Sequence, residues 1–122
     1  MLNDFYTILS VEEDAEFVLA SVVLNASHPI YKGHFEGKPI VPGVCMVYMI
    51  QNLLEQNVRD NVFFEKLSSC KFLRSLNPIV DKELIFQIKK KQDKEGLLKV
   101  EAQGWVGNEV FVKLKGTLRI GD

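Results

Sequence analysis

The sequence predicts an α+β fold in which one antiparallel sheet wraps a single apolar helix. Three observations predict it. Residues 44–57 form a long run with no glycine or proline, and its first seven residues are apolar on every side. Four strand-like runs rich in branched and aromatic residues follow that helix in succession. The last two of them face each other across Gly107-Asn108, a two-residue hairpin signal.

Each element can be justified in order. Residues 5–10 read as a short opening strand or a turn of helix. Residues 16–24, E-F-V-L-A-S-V-V-L, read as a strand. Residues 25–42 hold three of the chain's four prolines together with Gly33 and Gly37, and Gly43 lies just beyond. That composition suits an ordered loop rather than regular structure. Pro42 then introduces the helix, because proline is favoured where a helix starts and its missing N–H costs nothing. A helix apolar on every face, as over 44–50, is expected to be wrapped by protein, with only its last turns polar.

Residues 63–73 read as the next strand, leading to Asn77-Pro78. In residues 83–91, Leu84, Phe86 and Ile88 alternate with Ile85, Gln87 and Lys89, the period of a strand with one buried face. Residues 97–106 and Glu109–Ile120 complete the sheet. The run Lys89-Lys90-Lys91 reads as a solvated edge that discourages aggregation. Trp105 reads as core or interface.

Size and composition bound the function. The chain has 122 residues, and one domain over 1–122 is expected. Apolar residues make up 47% and charged residues 25%, the balance of a chain that folds. A net charge of −1 argues against nucleic acid as the main partner, because phosphate backbones call for a concentrated basic excess. Two isolated cysteines, Cys45 and Cys70, make no disulfide framework. Two histidines without a ligand cluster support no metal site. No cofactor is expected. No leader-like start and no membrane-length apolar run is seen, so the cytoplasm is the expected location.

The chemistry is concentrated between His28 and Glu55. His34 sits in the glycine-bearing loop, nine residues before Gly43 at the helix start. A helix N-terminus exposes unpaired N–H groups and partial positive charge, which can hold a thioester oxygen as negative charge develops on it. A neutral imidazole can take a proton. Together these parts can remove a proton α to a carbonyl.

Here the sequence resembles a known family. G-H-F-E-G-K-P-I-V-P-G-V, Gly33 to Val44, is similar to the G-H-F-P-G-x-P-x-x-P-G-V signature of the β-hydroxyacyl-acyl-carrier-protein dehydratases of FabZ and FabA type. Lys71-Phe72-x-Arg74, Pro78 and the closing hairpin extend the likeness more weakly, over about residues 10–120. The resemblance implies a hot-dog fold. It also implies a homodimer or a dimer of dimers, with acyl chains in tunnels at the dimer interface, and an acyl carrier protein presenting the chain on phosphopantetheine. His34 matches the base that takes the α-proton, and Gly43 matches the N–H donor to the thioester oxygen. Phe35 and Val44 flank them as substrate contacts. Lys71 and Arg74 become candidates for greeting the arm's phosphate or the acidic carrier, against the plainer reading of a solvated strand face.

One departure matters. The family's helix carboxylate lies five residues after the glycine, and here that residue is Tyr48. A phenol, titrating near ~10, donates a hydrogen bond but supplies no carboxylate at neutral pH. Tyr48 is therefore a substitute acid, a substrate-orienting group or a core aromatic. Glu36 adds a carboxylate to the loop, most simply solvated. Glu55 is expected to serve the polar end of the helix, and His28 to be structural or exposed. Besides the dehydratase reading, the residues leave open an acyl- or carrier-binding module without catalysis. They also leave open a half-site subunit paired with a related chain that brings the carboxylate, and a thioesterase, which Tyr48 disfavours.

Overall fold

The computed structural model describes residues 3–32 and 37–121. Six strands and one helix follow in the order β1 (Tyr6–Glu13), β2 (Phe17–Leu24), a 3-10 turn (Pro29–Tyr31), α1 (Gly43–Val58), β3 (Val62–Phe72), β4 (Glu83–Gln92), β5 (Leu98–Val106) and β6 (Glu109–Ile120). The strands form one antiparallel sheet in the order β1-β2-β4-β5-β6-β3. The sheet curls around α1, which is the hot-dog architecture the loop signature implied. β1 and β3 are its two edges.

Period-two patterning decides which face turns inward. Val18, Ala20 and Val22 of β2, Leu84, Phe86 and Ile88 of β4, and Val100 and Ala102 of β5 are buried against the helix. From α1 they meet Cys45, Met46, Met49, Ile50, Leu53 and Leu54. The hairpin between β5 and β6 turns at Gly107, whose φ of 57° is a conformation that glycine adopts without strain. Arg59 closes α1 in the left-handed region and donates its N–H to Glu55 O at 2.8 Å.

Several expectations change. The opening segment is a strand and runs on to Glu13, with a bulge between Ile8 and Ser10. The helix is buried on one face only. Val44 is 74% exposed, and Val47, Tyr48, Gln51, Asn52 and Glu55 are half-buried. Apolar side chains all round a helix mark it for cover, and within this chain the sheet covers just one side.

The lysine run is not an edge either. β4 lies between β2 and β5. Lys90 shares the parity of Ile88, so it points inward; it is buried and its ammonium donates to Ala15 O at 2.5 Å. Its apolar stem lines the core while its charged end escapes at the turn before β2. His28 is structural, as expected: Nδ1 accepts from Ile30 N at 3.0 Å, and Nε2–H donates to Asn3 O at 2.9 Å.

Candidate functional site at the start of the helix

Pro42 sits just ahead of α1 in extended conformation and Gly43 is the first helical residue. Val41 N–H donates to Leu76 O at 2.9 Å, which pins the approach to the helix against the segment after β3. Cys45 N–H is taken up by Pro42 O at 3.0 Å. The N–H groups of Gly43 and Val44 have no such partner among the described residues. They are the donors a helix start leaves open.

The ring of Phe72, the last residue of β3, lies on Gly43. A Cβ at this position would stand 2.8 Å from Phe72 Cζ and 3.0 Å from Cε2. Only glycine lets the ring and the helix start approach so closely. Phe72 is itself 52% exposed, so its ring is held against Gly43 on one side only.

Tyr48 stands just over one turn further along, on the half-buried face, one turn before Asn52. The Tyr6 hydroxyl reaches across from β1 and donates to Asn52 Oδ1. Gln56 Nε2 donates to the same oxygen at 3.3 Å. Burial first, and the neighbouring Tyr48 second, push the Tyr6 phenol well above its ordinary range. This stretch of the helix carries a phenol beside a second phenol and an amide.

On the other side, the Tyr31 hydroxyl is buried without a hydrogen-bond partner among the described residues. Burial, and then the Cys45 thiol, push its pKa up to about 12. Burial also raises Cys45.

The structure places the expected residues unevenly. Gly43, Val44 and Tyr48 share the first turns of one helix. His34 and Phe35, with Gly33 and Glu36, lie outside the described residues. Lys71 is exposed on the outward face of β3, next to Phe72. Arg74 is held within the chain: its guanidinium bonds Asp81 at 3.0 Å and lies 3.8 Å from Glu109. Glu55 accepts from Val62 N at 3.1 Å, joining the end of α1 to β3. Tyr6, Asn52 and Phe72 were not anticipated as neighbours of the site. Asn52 carried a signal, since it follows Tyr48 by four residues; Tyr6 carried none.

Fold and site together define a hot-dog protein with open N–H groups at the helix start and an aromatic ring packed on Gly43. The chain belongs to the ApeI-like family, described as ApeI dehydratase, whose model matches residues 10–109. It is 28% identical over 109 residues to the 3-hydroxyacyl-[acyl-carrier-protein] dehydratase FabZ of Thermotoga neapolitana, a match covering 86% of this chain and 78% of that protein. Among solved structures it is similar to the dehydratase heterocomplex ApeI:P from Xenorhabdus doucetiae, with a TM-score of 0.71 at 20% identity, covering 92% of this chain and 96% of that one. It is also similar to Cj0977, a virulence protein from Campylobacter jejuni, with a TM-score of 0.73 at 11% identity, covering all of this chain and 88% of that one. Likeness at such identities concerns the fold alone. Among the described residues, no helix is long and apolar enough to cross a membrane.

Proposed function

We propose that this chain binds a β-hydroxyacyl thioester presented by an acyl carrier protein and takes part in its dehydration. The observation that carries this reading is the start of α1, where the N–H groups of Gly43 and Val44 are open and Phe72 packs against Gly43, in a family of dehydratases. The thioester oxygen binds at Gly43 N–H, beside Val44 and Phe35. There the helix start stabilises the negative charge that builds on the oxygen as the α-proton leaves. His34 takes that proton. The carbon–carbon double bond forms as the β-hydroxyl departs with a proton, as water. Tyr48 either donates that proton or orients the hydroxyl. The half-buried side of α1 is covered by a second hot-dog subunit, and the acyl chain lies in the tunnel between them.

Tyr48 favours a second reading, in which this chain is one half of a mixed pair. A related subunit then supplies the carboxylate opposite His34. The similar fold of a dehydratase heterocomplex supports this arrangement. A subunit that binds the acyl carrier without turnover is the limiting case.

A coupled assay on a short β-hydroxyacyl carrier-protein thioester, run in both directions, tests the reading. Native protein, His34→Ala and Tyr48→Glu are compared. Loss of an acid–base partner commonly costs about 10² to 10⁴ in rate, and His34→Ala is expected to fall by that much with its fold intact. Full activity in His34→Ala removes the imidazole from the mechanism. An inert native protein that gains activity as Tyr48→Glu selects the mixed pair.

A further inference from the structure

We infer that the outward face of β3, β4, β5 and β6 is a docking surface for an acidic protein. Cross-strand register builds it. Lys71 of β3 stands directly opposite Lys113 of β6, and Lys91 of β4 directly opposite Lys99 of β5. Between those rows, Glu101 is flanked by Lys89 on one side and Lys115 on the other. All six lysines are exposed. The sheet thus gathers six ammonium groups around one carboxylate in a chain whose net charge is −1.

Like charges placed directly opposite each other cost stability in a sheet. Two such pairs on one face therefore oppose folding, and an anionic partner would relieve them. Glu101 binds one lysine, Lys115, at 3.4 Å in a mostly exposed pair, and leaves the others unneutralised. Two hollows of about 470 and about 750 Å³ run along the face and share Lys89, Glu101 and Lys115. Asp14 and Glu16 stand at the rim of the second. The positive field is therefore strongest toward β6 and β3.

The chemistry of the face selects a protein as the occupant. Most side chains beside the lysines are polar, Ser69, Gln87, Gln103 and Thr117, which hydrogen-bond to carboxylates, and a single aromatic ring, Phe17, borders the second hollow, too little apolar surface to anchor in lipid. Neighbouring strands lie about 4.8 Å apart. Carboxylates three or four residues apart on a helix recur at about 5 to 6 Å, so an acidic helix can meet the rows in step. The same field opposes back-to-back stacking of two copies.

The face also adjoins the site. Lys71 points outward, and the next residue, Phe72, turns inward onto Gly43. A partner held on Lys71 and Lys113 would deliver a tethered group around the edge of β3 to the helix start. This inference rests on the carrier-borne substrate proposed above.

The test uses an acyl carrier protein lacking its phosphopantetheine arm, so that charge alone is read. Binding to the native chain is measured by fluorescence anisotropy at low and high salt. It is compared with Lys113→Glu/Lys115→Glu, with Lys113→Gln/Lys115→Gln, and with Lys82→Glu/Lys94→Glu off the face. Circular dichroism checks each fold. The first pair is expected to weaken binding by about tenfold or more and to flatten its salt dependence, the second to fall between, and the third to match native. Turnover of a pantetheine thioester is expected to be the same in all. Unchanged binding in the first pair, or equal loss in the third, overturns the inference. So does unchanged carrier binding together with loss of binding to mixed phosphatidylcholine and phosphatidylserine vesicles, which would assign the face to lipid. Charge-dependent carrier binding by a chain inert toward every thioester defeats the catalytic reading and leaves this one standing.

Discussion

Gly104 and Gly43 are each pressed closely by a phenylalanine ring, and their surroundings differ. At Gly104 in β5, an added Cβ would meet Phe111 Cζ, Phe111 Cε2 at 2.7 Å and Val112 Cγ1 at 2.9 Å. Phe111 is fully buried and packs edge-on against Phe86, with ring centroids 5.7 Å apart. At Gly43 the ring is that of Phe72, about half exposed. The first contact is locked by core on every side. The second has solvent behind the ring. The same residue pairing serves packing in one place and access in the other, because interiors cannot yield volume and surfaces can.

The sharpest break of this comparison is Gly104→Ala. Phe111 has no free direction to move, so overpacking is expected to cost about 2 to 3 kcal/mol. For a domain of this size that lowers Tm by roughly 10 °C. Thermal or urea unfolding checks it. A native-like Tm would mean that the core around Phe86 and Phe111 is looser than its packing indicates.

The core of this fold was legible in the sequence because it is periodic. Leu84, Phe86 and Ile88 turn inward as their spacing demands, and the turn at Gly107 falls where Gly-Asn predicts it. Lys90 was misread, although its parity with Ile88 carried the answer; three consecutive charges masked it. β1 was hard to read because most of it is exposed and it shows no clean alternation. The site was legible only where one local segment builds it, as with Gly43, Val44 and Tyr48. Tyr6 lies 46 residues from Asn52 in sequence, and no local pattern records that bond. Apolar residues around α1 announced burial on every side, and within this chain the sheet supplies it on one side only.

The next largest effects come from the two tyrosines that flank α1. Tyr6→Phe removes the donor to Asn52 and is expected to cost about 1 kcal/mol. Tyr31→Phe removes a buried hydroxyl without a partner and is expected to be neutral or to stabilise by up to about 1 kcal/mol. Both phenols have folded-state pKa values raised above the unfolded value. Their contribution is therefore complete below pH ~10 and is lost as pH rises through the folded values. For Tyr31 that window closes at about 12. Denaturant melts at neutral and at alkaline pH are expected to show native protein losing stability above that lower bound, and Tyr31→Phe losing less. Equal alkaline loss in both would mean that the Tyr31 hydroxyl meets solvent in the folded state.

The smallest stability change falls on the open side of the comparison. Gly43→Ala places its methyl group against Phe72 Cζ and Cε2, the outer end of a side chain that can swing outward. Alanine also gains helix propensity of about 1 kcal/mol over glycine, which offsets the displaced contact. The net effect on Tm is expected to be near zero, while thioester turnover falls, because the methyl group and the displaced ring reshape the space over the open N–H groups. Phe72→Ala supplies the control. If ring and methyl group conflict only with each other, stability in the double variant Gly43→Ala/Phe72→Ala will depart from the sum of the singles, since residues in contact do not add. Additive singles would place the Phe72 ring off Gly43 in solution.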